Sequence, residues 1–232
     1  MLGNPESEFR LRVADHAIRL FAEAGYEATT VDEIAAAAGV SRRTFFRQFR
    51  SKEDVVFADH RTLLEQAGRQ LAESQRAGQD PWTAVCDAAE LVFDRFLEHR
   101  EMSVRRYRVV NAVEALREHE IVTVYRYERL FADHLRVALP EVAPLRIITF
   151  ASSVTATHNY LLREMLRGNP DATAARLRVE LTAVRRLYSE SAELAGGLAG
   201  GRTTVVVTVV QGGGSSAEVA ERVRQELDEL GE

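Results

Sequence analysis

Residues 29–52 read TTVDEIAAAAGVSRRTFFRQFRSK. Thr30-Val31-Asp32-Glu33 has the spacing of a capping box, in which a threonine hydroxyl and a carboxylate three residues on satisfy each other's backbone N–H groups. A short helix follows, Ile34 and the alanines through Ala38, and Gly39 supplies a tight turn. Ser41 then caps a second short helix over about 42–48. Ser51-Lys52-Glu53-Asp54 is a further start signal, opening a long helix to about Arg76. Two short helices joined by a tight turn make a helix-turn-helix.

At about 100° per residue, Phe45 and Phe49 share one side of the second helix and are expected to bury. Arg43, Thr44 and Arg47 fall opposite and project outward, with Phe46 and Gln48 on the flanks. From Val40 to Lys52 there are five basic residues (Arg42, Arg43, Arg47, Arg50 and Lys52) and no acidic one. The whole chain carries −5, so the remainder stands at −10. Such local asymmetry is the electrostatic footprint of a phosphate-facing surface. A solvated arginine face is the plainer alternative, because Lys52 is the only lysine and arginine is abundant. The coincidence of cluster, turn, caps and buried rings favours the first reading.

Working outward, the pattern is helical to about Leu198. Phe9, Val13, Ala17, Leu20, Phe21 and Ala24 make one apolar stripe over about 6–24, and Gly25 suits a left-handed cap. Further helices are expected over about 82–98, 101–117, 119–138, 145–167 and 171–194. Ile147–Leu162 is sixteen residues without Asp, Glu, Lys or Arg. It is shorter than the ~20 apolar residues of a membrane span and reads as a buried helix. Its small and hydroxyl residues (Ala151, Ser152, Ser153, Thr155, Ala156, Thr157) suit close helix contact across a two-fold axis.

After the glycines of 196–201 the character changes. Thr203–Val210 is β-branched throughout and favours a strand. Ser215-Ser216-Ala217-Glu218 would cap a short helix with Val219, Val223, Leu227 and Leu230 on one stripe. That strand either pairs, for instance with its copy in a second chain, or stays disordered.

The fold expected is all-α, with three regions: a helix-turn-helix domain over 1–55, a helical domain over 56–198, and a strand-helix tail over 199–232. A chain of 232 residues with 46% hydrophobic and 28% charged residues can bury a core unaided. The single cysteine, Cys86, excludes an internal disulfide and a cysteine-based zinc cluster. Residues 1–10 show no signal-peptide core. No catalytic motif occurs: the six histidines lack metal-protease spacing, and no G-x-S-x-G or phosphate-binding loop is present. Glu118-His119-Glu120 are helix neighbours that point different ways, so no metal site is expected. Cys86 sits in an apolar helix and is expected to be inert.

The segment from about Leu11 to His60, with AIRLFAEAGYEATTVDEIAAAAGVSRRTFFRQFRSKEDVV at its centre, resembles the N-terminal DNA-binding domain of the TetR family of transcriptional regulators. The resemblance implies a dimer whose third helices enter successive major grooves of an operator in double-stranded DNA. It places Arg42, Arg43, Thr44 and Arg47 in the base- and phosphate-contacting stretch. It places Thr29 and Thr30 at a helix start that touches the DNA backbone, and Lys52 on a phosphate. Two departures stand out: Phe46 lacks the hydroxyl of an aromatic frequent there, and Gln48 replaces a common tyrosine or histidine. Gln48 suits an adenine or a phosphate equally.

The resemblance also implies a small-molecule cavity in the middle helices, dimerisation through the last two, a cytoplasmic protein, and repression relieved by an effector. An apolar effector, such as a fatty acyl derivative or a drug-like molecule, is the expectation, with no cofactor and no membrane contact. Candidate cavity residues are Trp82, Cys86, Phe93, Tyr107, Asn111, Tyr125, Phe150 and His158, each of which also reads as core. Arg105, Arg106 and Arg108 form either a solvated face or the seat of an anionic head, the solvated face being the simpler. The alternatives are a helical binding or interaction module without specific DNA binding, and a small-molecule enzyme in the C-terminal helices.

Overall fold

The computed structural model describes the backbone of residues 5–197 and the side chains of 6–188. The strand and helix expected beyond 199 lie outside the described residues. Among the described residues ten helices occur in order: α1 (Pro5–Ala24), α2 (Val31–Ala37), α3 (Arg42–Gln48), α4 (Lys52–Val56), α5 (Ala58–Arg76), α6 (Pro81–Glu98), α7 (Arg100–Ala112), α8 (Glu114–Ala138), α9 (Pro144–Arg167) and α10 (Ala174–Gly197). No strand occurs among the described residues.

The caps legible in the sequence are formed. The Thr30 hydroxyl accepts from the Glu33 N–H at 3.2 Å, and Glu33 accepts from the Thr30 N–H at 2.7 Å. Ser41 accepts from the Thr44 N–H at 3.0 Å, and Ser51 from the Asp54 N–H at 3.3 Å. Gly25 ends α1 at φ +92° and Gly39 makes the turn between α2 and α3 at φ +68°. Both values lie where a Cβ is disfavoured, so the tight turn depends on glycine there.

One break was not expected, and another falls earlier than expected. The helix anticipated from Lys52 to Arg76 is interrupted at Phe57, which has φ −107° and ψ 21°. Its ring is buried and stacks on His119 at 4.5 Å and 17°. Side-chain packing thus overrides a continuous helical pattern. The second break separates α7 from α8 at Val113, with φ −119° and ψ 118°. Asn111 donates its amide to the Tyr107 carbonyl at 2.7 Å, and Arg117 reaches the Asn111 carbonyl at 2.6 Å. These side-chain bonds compete with the helical ladder, so α8 starts earlier than the 119 expected.

Two buried clusters result. The first joins Val13, Ala17 and Phe21 of α1 to Ile34, Phe45, Phe49, Val55 and Phe57, and it also takes Val109 and Val110 of α7 and Leu116 of α8. The second is built by α5, α6, α8, α9 and α10 around Phe93, Phe131, Phe150 and Leu177. Arg105 joins Asp15 at 3.1 Å, tying α7 to α1 across the first cluster. On α9, Ile148 and Tyr160 are exposed, as are Val179 and Leu187 on α10. Among the described residues, the uncharged stretch of α9 is therefore buried on one side only.

Candidate nucleic-acid interface and inner cavity

The recognition element rests on its rings. Phe45 and Phe49 are 0% and 1% exposed, and their centroids lie 5.2 Å apart. The Arg10 guanidinium sits 4.7 Å over the Phe49 ring and donates to the Gln48 carbonyl, fixing the C-terminal end of α3. On the opposite side Arg43 and Arg47 are exposed, and Thr44 is half-buried with its hydroxyl 2.9 Å from that of Ser41. Phe46 is 45% exposed, edge-on to Phe45. Arg42 lies over the Phe46 ring at 5.3 Å and donates to Asp32 at 2.6 Å. Its charge is thus partly matched within the protein, and the pair is well exposed.

Two residues face differently from what the resemblance implies. Thr29 is buried, with its hydroxyl donating to the Gly25 carbonyl at 2.8 Å. Lys52 turns back on the protein: its ammonium donates to the carbonyls of Tyr26 at 2.9 Å and Thr29 at 3.1 Å, and lies 4.4 Å from the Tyr26 ring centroid. The Tyr26 hydroxyl donates to Glu53. Burial, and then that bond, raise the phenol above its ordinary range. Together Lys52 and Glu53 latch α4 onto the turn between α1 and α2.

Between α5, α6, α7, α8 and α9 lies a cavity of about 70 Å³. Rings dominate its wall: Phe57, Phe96, Tyr107, Tyr127 and Phe131, with the imidazoles of His60 and His158. Phe57, His60 and Thr123 also line a second cleft of about 900 Å³, whose far wall is Phe46, Arg47 and Gln48. These three residues partition the inner cavity from the space behind the recognition helix.

The polar side of the cavity is a buried network. Arg106 donates to Asp59 at 2.8 Å, joining α7 to α5. Burial opposes the Asp59 charge, but the Arg106 guanidinium and further polar partners outweigh it and hold the carboxyl below its ordinary range. His60 Nδ1 lies 3.1 Å from the Tyr127 hydroxyl. Burial pushes both His60 and His158 down to about 4, so both rings are neutral near pH 7. Arg106 Nε and Nη1, Thr155 Oγ1 and His158 Nε2 are buried without a hydrogen-bond partner among the described residues.

Of the eight cavity candidates, the structure brings Tyr107 and His158 to this wall. Trp82 and Phe150 instead pack edge-on at 4.7 Å, with Tyr188 against both. Cys86 faces α10, its thiol 3.8 Å from the Leu181 carbonyl. Burial pushes that thiol up to about 12, which suits an inert residue. Phe93 is buried behind His158, at 5.8 Å. Asn111 and Tyr125 are exposed. Arg106, expected on a solvated face, is 4% exposed. It shares the buried stripe Met102–Arg106–Val109–Val110 of α7, a spacing that could have revealed it. No His, Cys, Asp or Glu group suited to a metal ion occurs among the described residues.

Comparison with known proteins finds likeness in the N-terminal part of the chain. Residues 14–58 match the family described as bacterial regulatory proteins, tetR family. Over that stretch the chain is similar to the tetR family. It is 40% identical over 79 residues to the HTH-type transcriptional regulator TcmR of Streptomyces glaucescens, covering 34% of each chain. Matches to the curated relatives span about a third of those proteins' lengths. Among solved structures, a regulator assigned to the TetR family from Syntrophomonas wolfei superposes with a TM-score of 0.60 at 19% identity, covering 78% of this chain and 95% of that one. FadR of Thermus thermophilus, a TetR-family repressor solved with lauroyl-CoA, gives 0.52 at 21% identity, covering 88% of this chain and 100% of that one. At such identities the likeness is one of fold. These curated relatives are named as HTH-type transcriptional regulators. No helix among the described residues is long and apolar enough to cross a membrane.

Proposed function

We propose that this chain is a cytoplasmic homodimeric repressor of the TetR family that binds a DNA operator through α3 and leaves it when a small, largely apolar ligand fills the inner cavity. The observation that carries the reading is the exposed pair Arg43 and Arg47, held upright by buried Phe45 and Phe49 on a helix with no acidic side chain. Thr30, Arg42, Thr44, Phe46 and Gln48 border the same surface and are the remaining DNA-facing residues of the proposal. Thr29 and Lys52 support it from behind. Residues 1–55 serve as the reading head and 56–198 as the ligand-binding and dimerising part.

Dimerisation is supported by the uncovered stripe of α9. Ile148, Ser152, Ala156 and Tyr160 recur every four residues, and Ile148, Ala156 and Tyr160 are exposed. A second copy would cover it and set two reading heads at the roughly 34–36 Å repeat of successive major grooves.

Release follows from the partition wall. A cavity of about 70 Å³ is smaller than the roughly 150 Å³ void that admits benzene. A ligand therefore pushes its wall outward, and Phe57 is the wall residue at the junction of α4 and α5. Moving Phe57 moves α4, and the Lys52 and Glu53 latch carries the head with it. The ligand binds the displaced state better and shifts the population toward it. Footprinting on the DNA upstream of the protein's own gene, across a salt series, tests the reading. A protected two-fold site that weakens steeply with salt is expected; uniform, sequence-independent protection would refute it.

A further inference from the structure

We infer that the cavity selects a neutral, single-ring compound bearing a carbonyl oxygen, which accepts from Arg106, and a hydroxyl, which is held by His158 and Thr155. This deepens the ligand-release reading and rests on its assignment of the cavity.

Three observations carry the assignment. The first is the wall, whose ring faces suit a flat molecule. Its small volume favours one ring over several.

The second is the set of buried polar atoms without protein partners. Arg106 is bonded to Asp59 through Nη2 alone, leaving Nε and Nη1 as unmatched donors. His158 Nδ1 lies 3.1 Å from Asn159 Oδ1. An amide oxygen only accepts, so Nδ1 carries the proton and Nε2 presents its lone pair. Thr155 Oγ1 is buried and unmatched one helical turn away on α9. Arg106 on α7 and Thr155 and His158 on α9 line one cavity, and their unmatched donors and acceptor call for a ligand with an acceptor and a donor. Buried polar groups of this kind discriminate strongly against analogues that leave them unmatched.

The third is charge. Asp59 already neutralises Arg106. Glu120 lines the same cavity, with Arg163 3.8 Å from its carboxylate. His60 and His158 are uncharged. An anionic ligand would therefore add an uncompensated charge to a largely apolar cavity, whereas a ketone or aldehyde oxygen would not.

The test uses the full-length protein and four probes in isothermal titration: para-hydroxyacetophenone, acetophenone, para-ethylphenol and para-hydroxybenzoate. The expected result is that para-hydroxyacetophenone binds more than about tenfold tighter than each of the others. Thr155→Val and His158→Phe are expected to lower that preference over acetophenone to within about threefold, with acetophenone affinity itself little changed. Thr155→Val is nearly isosteric and keeps the experiment readable should His158→Phe fold poorly. Equal affinities, tightest binding of the benzoate, or no binding of any probe would overturn the inference. Operator binding by the same preparation without probe separates the two claims. A protein that binds its operator but ignores these probes loses only the ligand class. A protein that takes up para-hydroxyacetophenone selectively without binding DNA loses the regulator reading.

Discussion

The Lys52 ammonium donates to the Tyr26 carbonyl at 2.9 Å, across twenty-six residues of sequence, and so joins the first turn of α4 to the loop after α1. A lysine at the edge of a basic surface is here spent on holding that surface in place. Lys52→Met keeps the aliphatic stem and removes the donors. It should lower stability by about 1–3 kcal/mol, visible in the urea midpoint. The salt slope of operator binding should stay the same, because no phosphate contact is lost. A slope reduced by about one with unchanged stability would make Lys52 a DNA contact instead.

Phe57 sits at the junction of α4 and α5, on the cavity wall. Phe57→Ala should destabilise the fold by about 3–5 kcal/mol, since the ring is buried and stacked on His119. Phe57→Leu is the informative variant. It should keep most of the stability and operator affinity while lowering the release caused by a cavity ligand severalfold, read as operator occupancy at saturating ligand. Full release by the leucine variant would show that the signal bypasses this ring.

The buried imidazoles make stability depend on pH in a defined window. His60 and His158 titrate near 4 in the folded chain, against an ordinary 6.5. Between those values the unfolded chain binds more protons, so stability rises with pH there and is lost as pH falls from about 6.5 towards 4. Each ring contributes a slope approaching ~1.4 kcal/mol per pH unit. Asp59, held below its ordinary range, adds a further loss at still lower pH. Urea midpoints measured across this window should fall steadily on acidification, and His158→Phe should flatten the slope by about one proton's worth.

The exposed stripe of α9 gives a prediction about assembly. Ile148→Glu with Tyr160→Glu places two charges on side chains 40% and 65% exposed in the single chain. The fold should survive with little change in far-ultraviolet circular dichroism. Sedimentation should change from dimer to monomer, and operator affinity should fall by more than about a hundredfold as the second half-site is lost. A variant that remains dimeric would move the interface elsewhere.

The sequence carried the reading head almost completely, because its determinants are local. Capping hydroxyls, Gly39 and the four-residue spacing of Phe45 and Phe49 each act within one turn of chain. The cavity was far less legible. Trp82, Cys86 and Phe150 have the same apolar character as the wall residues, and only packing between distant helices decides which rings line a void. Arg106 was hidden by its neighbours Arg105 and Arg108: composition suggests a solvated face, while the period of α7 turns one of the three inward to Asp59, forty-seven residues away. The kink at Phe57 was invisible for a similar reason, since its partner His119 lies in α8. Lys52 shows a further limit: its direction is set by the Tyr26 and Thr29 carbonyls, more than twenty residues away.

The central claim is that Arg43 and Arg47 present positive charge to DNA while Phe45 and Phe49 hold them there. The most direct measurement is quantitative footprinting of Arg43→Ala with Arg47→Ala beside the unaltered protein, on its upstream DNA, from low to moderate salt. The account predicts loss of specific protection and a salt slope shallower by about two, with an unchanged unfolding midpoint because both side chains are exposed. Undiminished protection with the same slope would contradict it.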